Sequence, residues 1–123
     1  MITGIVNENR EATIRLLVRG AQGQEQEIEA IIDTGFTGFL SLPSPLIASL
    51  GLTWRGYAQA ILADGSLRQF DVYAATVIWD GRARTVETDA ADTDPLVGMG
   101  LIYGHDLRIQ AVDGGTVTIT ALP

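Results

Sequence analysis

One short stretch of the sequence places a carboxylate where it could do chemistry. The run Asp33-Thr34-Gly35 directly follows the apolar residues Ile31 and Ile32. A carboxylate at the end of an apolar strand is costly to bury without hydrogen-bond partners, so such a residue commonly has a function. Carboxylates acting in pairs can hydrolyse an amide, because one takes a proton from water while the other donates a proton to the carbonyl oxygen. The structural alternative is a simple turn, in which the carboxylate of Asp33 accepts nearby backbone N–H groups.

The number of such runs matters, because amide hydrolysis of this kind needs two carboxylates. Two carboxylates about 3 Å apart share one proton, since both cannot ionise comfortably at that distance. The chain has a single Asp-Thr-Gly, and the corresponding place in its second half holds Leu96-Val97-Gly98. A two-fold homodimer would supply the second carboxylate from a second copy of Asp33. Catalysis by Asp33 therefore predicts a homodimer.

Composition excludes several other chemistries. All eight basic residues are arginine, and the chain has neither lysine nor cysteine. A lysine Schiff base, a Ser-Lys dyad, a phosphate-loop lysine, a thiol nucleophile and a zinc-thiolate site are therefore excluded. The net charge of -7 argues against nucleic acid or an anionic membrane as the main partner. We expect no cofactor and no metal.

Three further features suggest other sites, each with a plainer interpretation. The glycines of Gly98 to Gly104 resemble a dinucleotide-binding turn, but the following residues break into a hairpin, so close packing explains them better. The acidic stretch Asp89 to Asp94 lacks the ligand order of a calcium loop, which favours a solvated loop. His105 is the only histidine, and a Ser-His-Asp triad would need a Gly-x-Ser-x-Gly elbow that the sequence lacks. A structural role for His105 is therefore favoured.

Alternation of apolar and polar residues predicts an all-β protein with one or two short helices. The predicted strands are Thr13 to Ile32 as a hairpin, Phe39 to Leu42, a second hairpin with arms Tyr57 to Leu62 and Leu67 to Trp79, Ala83 to Thr88, and a last hairpin of Leu107 to Val112 with Val117 to Ala121. The predicted tip of the second hairpin is the two-residue turn Asp64-Gly65.

The helix signals lie in two places. Ser44 is a predicted N-cap, with Pro45 at the first helical position and Gly51 closing a helix over Pro45 to Leu50. A single helical turn is predicted near Met99 to Tyr103.

Neither a secretory signal nor a membrane span is expected. The segment Met1 to Glu11 is polar and lacks an apolar core. The uncharged stretch Gly35 to Trp54 has the length of a membrane span, but its prolines and glycines indicate a loop and a short helix in a soluble core. We expect a cytoplasmic protein with one domain over residues 1–123.

The order of these motifs resembles that of a known family. In the retropepsin-like aspartic peptidases, single-lobed relatives of retroviral proteases, an Asp-Thr-Gly run is followed by a hairpin flap and then by two apolar residues and a glycine. The chain is similar, over roughly residues 13–107, to small prokaryotic members of that group. The resemblance implies a closed β-barrel of the acid-protease type and a homodimeric endopeptidase acting on peptide or protein substrates.

The resemblance also implies roles for individual residues. Asp33 would activate water, the Thr34 hydroxyl would brace the two active-site loops across the dimer, and Gly35 would let the backbone approach the carboxylate. Ala63, Asp64 and Gly65 would form the tip of a flap over an extended peptide. Two alternatives remain: a catalytically weak or inactive dimerisation or peptide-binding module with the same fold, and a β-barrel ligand binder in which Asp33 is only a turn residue.

Overall fold

Ten strands and two short helices form the structure, a computed structural model that describes all 123 residues. The strands are β1 (Ile2–Val6), β2 (Ala12–Arg19), β3 (Glu25–Ile32), β4 (Leu40–Leu42), β5 (Thr53–Ile61), β6 (Leu67–Trp79), β7 (Arg82–Ala90), β8 (Leu96–Val97), β9 (His105–Ile109) and β10 (Thr116–Ala121). The helices are α1 (Ser44–Leu50) and α2 (Met99–Ile102). The predicted all-β class is confirmed.

The strands form one sheet that folds back on itself. Their order is β5-β6-β7-β4-β8-β3-β2-β1-β10-β9, and β6 also pairs with β2. Most neighbours are antiparallel, whereas β3 runs parallel to β8 and β4 runs parallel to β7. These two parallel pairs bring the end of β3 next to β8, and the end of β7 next to β4. The residues that follow β3 therefore begin beside β8 and lead into β4.

Period-two alternation explains how the sheet makes its core. In β2, Ile14, Leu16 and Val18 are buried, while Arg15 and Arg19 point outward and form exposed ion pairs with glutamates of β3. A cluster of 21 buried apolar residues continues this pattern through the sheet and both helices. The outward pairs contribute little to stability, because exposed ion pairs are typically worth under about 1 kcal/mol.

The helix α1 differs from its prediction at one end. Its N-cap is Pro43, with no side-chain cap, and Ser44 is already helical, so the predicted Ser44 cap is wrong. Gly51 ends the helix as predicted, in the left-handed conformation at φ 59°. The uncharged stretch from Gly35 contains β4 and α1, and no helix of the structure is long and apolar enough to cross a membrane.

Several strands differ from their predictions, and β5 starts at Thr53 rather than at the predicted Tyr57. The structure has an N-terminal strand, β1, which the sequence did not predict and which pairs with both β2 and β10. The strand β7 continues to Ala90, so Asp89 lies in a strand rather than in the predicted acidic loop. The strand β9 ends at Ile109, because the loop after it is tied to β1 through hydrogen bonds between Val6 and the Gly114-Gly115 backbone.

Candidate active site

The position of Asp33 follows from the parallel pairing of β3 with β8. Ile31 pairs with Leu96 and Ile32 with Val97. The Asp33 N–H then donates to the Val97 carbonyl at 2.9 Å, and the Asp33 carbonyl accepts the Phe36 N–H at 3.2 Å. The backbone on both sides of the carboxylate is therefore held by hydrogen bonds.

The Asp33 carboxylate is only partly satisfied. Its Oδ1 accepts the Gly35 N–H at 2.9 Å, and its other oxygen accepts no hydrogen bond from the chain. Gly35 allows this approach, since a Cβ added to it would lie 3.3 Å from Oδ1. Asp33 is partly buried, and Thr34 and Gly35 are exposed. The arrangement leaves one carboxylate oxygen free to bind a proton or a water molecule.

The loop after Asp33 packs closely against the start of α2. Met99 N–H donates to the Phe36 carbonyl at 2.8 Å, and Gly100 N–H donates to the Gly38 carbonyl at 2.9 Å. A side chain at Gly98 or Gly100 would overlap the backbone of Gly38. Gly98 and Gly100 thus serve close packing, as predicted, and they support the loop that carries Asp33. Gly104 does not, since a Cβ there would meet no atom within 4 Å and its φ is 86°.

A cavity of about 340 Å³ opens beside Asp33. Its lining includes Asp33, Phe36, Arg68, Phe70 and Asp89. Arg68 and Phe70 belong to β6, the second arm of the predicted flap hairpin, so this hairpin reaches the candidate site.

The tip of that hairpin lies outside the cavity lining. The tip is a three-residue loop, Ala63-Asp64-Gly65, rather than the predicted two-residue turn, because Leu62 N–H donates to Ser66 O and Gly65 adopts φ 83°. Asp64 Oδ1 accepts the N–H and the hydroxyl of Ser66 at 2.9 and 2.6 Å. These hydrogen bonds, the one from the Ser66 side chain most of all, lower the pKa of Asp64.

Sequence reasoning missed the second carboxylate of the cavity, Asp89. It is partly buried near the end of β7 and forms no ion pair. Burial raises the pKa of Asp89, and the neighbouring negative charge of Glu87 raises it further. The signal that could have placed Asp89 in a strand was the alternation of residues along β7. Val86 and Thr88 are buried, and Glu87 and Asp89 occupy the alternate positions.

A solved structure shares this architecture. No protein-family model and no curated protein matches the chain. The crystal structure of a retropepsin-like aspartic protease from Rickettsia conorii matches it with a TM-score of 0.61 at 17% sequence identity, covering 99% of this chain and 91% of that one. The chain has the retropepsin-like fold.

His105 has a structural position in this retropepsin-like fold. Its Nε2 accepts the Trp79 indole N–H at 3.2 Å, and its Nδ1 lies 3.2 and 3.1 Å from the carbonyl oxygens of Ile102 and Tyr103. Both ring nitrogens are thus engaged, and His105 does not line the cavity beside Asp33. Trp79 is buried, whereas three other large aromatic residues, Trp54, Tyr57 and Tyr103, are exposed.

Thr34 lies beside a second opening of the retropepsin-like fold. A cavity of about 510 Å³ is lined by Thr34, Ile31, Ile109 and Val112, among others. Ile109 and Val112 are exposed apolar residues, and the Thr34 hydroxyl makes no hydrogen bond within the chain. The surface next to the Asp33 loop therefore has apolar groups and an unused hydroxyl.

Proposed function

We propose that this chain is an aspartic endopeptidase that acts as a homodimer and hydrolyses peptide bonds. The observation that carries this proposal is the Asp33 carboxylate, which is oriented by the Gly35 N–H, has a free oxygen and lines a cavity next to a long hairpin. The likeness of fold to a retropepsin-like aspartic protease supports it.

The chemistry requires one ionised and one protonated Asp33. The ionised carboxylate takes a proton from water as the water oxygen bonds to the peptide carbonyl carbon, and the protonated carboxylate donates its proton to the carbonyl oxygen. Collapse of this tetrahedral intermediate breaks the C–N bond, and the leaving nitrogen takes up a proton from the pair. One water is consumed, and an acid and an amine are formed.

The partner subunit would approach the surface around Thr34. Thr34 is exposed, and its hydroxyl is free to donate to a partner. The strand β1 is already paired on both sides within its own chain, so a sheet between subunits would have to use an edge strand, β5 or β9. We infer that Thr34 and the exposed residues Ile109 and Val112 form part of the dimer surface.

The hairpin β5–β6 would act as the flap. Its arms are long, its tip residues Ala63, Asp64 and Gly65 are exposed, and Phe70 on its second arm lines the cavity beside Asp33. An extended peptide lying between the hairpin and Asp33 would gain backbone hydrogen bonds and lose contact with water.

Substitution of Asp33 by asparagine tests the proposal. Asp33→Asn keeps the size and the Gly35 hydrogen bond but removes the proton-transfer group, so peptidase activity should fall by about 10²–10⁴-fold. Cleavage of a diverse peptide mixture, followed by mass spectrometry, gives the readout. Glu8→Gln, at an exposed carboxylate in the turn after β1, is the matched control and should retain activity.

Two outcomes would contradict the proposal. If Asp33→Asn cleaved peptides as fast as the unaltered chain, Asp33 would be a turn residue only. If the unaltered chain bound peptides as a dimer but cleaved none, the protein would be a peptide-binding module with a protease fold.

A further inference from the structure

Asp89 lines two adjoining cavities next to the candidate site. The cavity beside Asp33 and a neighbouring one of about 490 Å³ are both lined by Phe36, Phe70 and Asp89. The neighbouring cavity also has Glu87 in its lining. A side chain that enters either cavity therefore meets two phenylalanine rings and the Asp89 carboxylate.

The negative charge of Asp89 has no partner within the chain. It forms no ion pair and accepts no side-chain hydrogen bond, and Arg68, the one basic residue of the first cavity, forms no ion pair either. Burial and the adjacent Glu87 raise the pKa of Asp89, which means that its ionised form lacks compensation. A cation bound there would provide it.

The remaining lining suits the stem of a long side chain. Phe36 and Phe70 provide apolar walls, and Ala58 and Ala60 extend them in the second cavity. Lysine and arginine bury apolar methylene groups while their charged ends reach a polar partner.

A polar group lies near Asp89 on the neighbouring strand. Ser41 pairs with Asp89 in the parallel register of β4 and β7 and lines the first cavity. It is only 4% exposed, and its hydroxyl makes no hydrogen bond within the chain. Asp89 and Ser41 together offer acceptors to a group with several N–H donors.

We propose that Asp89 is a specificity-determining residue, which selects a lysine or arginine side chain in the peptide that lies beside Asp33. The inference rests on the proposed substrate cleft, and it deepens the proposed function by naming the substrate class. A purely apolar side chain would fit the walls but would desolvate the Asp89 carboxylate without pairing it, which costs free energy.

A lysine scan of a peptide series tests this inference. Each peptide carries one lysine, moved through successive positions of a norleucine-rich sequence, because norleucine has the same chain length without the ammonium group. Binding is measured by fluorescence anisotropy to Asp33→Asn, which does not depend on cleavage, and kcat/KM is measured with the unaltered chain. The double variant Asp33→Asn/Asp89→Asn and the control Asp33→Asn/Glu8→Gln complete the set.

The expected result is a preference for lysine of about tenfold at one position, as for a hydrogen bond to a charged group. That preference should disappear in Asp33→Asn/Asp89→Asn and persist in Asp33→Asn/Glu8→Gln. The variant Arg68→Gln should keep or strengthen it, since Arg68 competes for the same negative charge.

The outcomes separate the inference from the proposed function. Binding selectivity for lysine that depends on Asp89, without cleavage by the unaltered chain, would overturn the peptidase and leave the inference standing. Cleavage that depends on Asp33 but shows no preference for lysine would overturn the inference and leave the peptidase standing. Absence of binding to every peptide of the scan would overturn the inference as well.

Discussion

Asp33 and Asp89 share a cavity but are held in different ways. Asp33 accepts a backbone hydrogen bond from Gly35. Asp89 accepts no side-chain hydrogen bond, is partly buried and lies near the negative charge of Glu87. Burial disfavours the charged form of a carboxylate, so an ionised Asp89 would be stabilised by a bound cation. Asp33 instead has one oxygen held by the Gly35 N–H and one free oxygen, which suits it to proton transfer.

Asp89→Asn should raise stability in a pH-dependent way. Because the folded-state pKa of Asp89 lies above its unfolded value, folding favours the protonated form. In the unaltered chain, the stability that protonated Asp89 contributes is fully present below the unfolded pKa of 3.8. It is lost as the pH rises through the folded pKa. The gain in Tm from Asp89→Asn should therefore be largest at pH 7 and shrink toward pH 4. Calorimetry of both chains across this range, with Glu8→Gln as control, gives the test, and a gain that grew on acidification would contradict it.

The two tryptophans provide a second comparison between single residues. Both indole N–H groups donate to a side chain, Trp79 to His105 at 3.2 Å and Trp54 to Asp71 at 3.1 Å. Trp79 is 3% exposed and Trp54 is 51% exposed. Trp79→Phe leaves the partly buried His105 Nε2 without its donor and creates a void. It should therefore cost about 2 kcal/mol of unfolding free energy. Trp54→Phe should cost under about 0.5 kcal/mol. Urea unfolding measures both, and equal losses would show that burial does not decide the difference.

At the scale of elements, local patterns predicted the strands well and long-range pairings poorly. The alternation of apolar residues predicted both ends of β6 correctly. It also predicted the outer limits of the β2–β3 hairpin to within one residue. The strand β1 was missed, because it lies between β2 and β10, and β10 comes from the other end of the chain.

The same reason explains which parts of the candidate site were predictable. Asp33, Thr34 and Gly35 are consecutive, so the sequence displayed them. Asp89 is placed at the cavity by the pairing of β7 with β6 and with β4, and the pairing with β4 joins segments almost fifty residues apart. A local pattern could indicate that Asp89 belonged to a strand, but not which cavity that strand would line.

The hairpin tip provides a prediction for an element. Asp64 holds the tip through two hydrogen bonds from Ser66, and it is fully exposed. Asp64→Ala should therefore speed amide exchange at Ser66 and Gly65 while leaving the global Tm nearly unchanged. Hydrogen exchange with mass spectrometry at pH 7 measures the tip, with Asp92→Ala, at another exposed aspartate, as the control. Unchanged exchange at the tip, or a large fall in Tm, would contradict this view of the hairpin.

At the scale of the whole molecule, charge and the proposed dimer act against each other. Each chain carries a net charge of -7, so two chains repel at long range. Salt screens such repulsion over a Debye length of about 10 Å at 0.1 M. Association must therefore rest on local contacts, and the exposed Thr34, Ile109 and Val112 are among the groups next to the Asp33 loop that can provide them. We expect the dimer to strengthen as salt concentration rises.

Mixing active and inactive chains tests whether the catalytic pair spans two subunits. Asp33 and Asp89 line one cavity, so a pair within a single chain is the rival arrangement. If the pair takes Asp33 from each chain, a ninefold excess of Asp33→Asn should lower activity per active chain to about a tenth, because most active chains then have an inactive partner. A pair within one chain predicts no loss.

The control for the mixing experiment is an inactive chain that cannot form the dimer. Val112→Asp places a charge on the apolar surface beside Thr34, so Asp33→Asn/Val112→Asp should stay monomeric and should not inhibit. Tyr103→Asp, at an exposed aromatic residue that does not line this cavity, should leave inhibition intact. Sedimentation over a concentration series confirms each state. Full activity in the presence of excess Asp33→Asn, at concentrations where the chains are dimeric, would place both catalytic groups in one subunit.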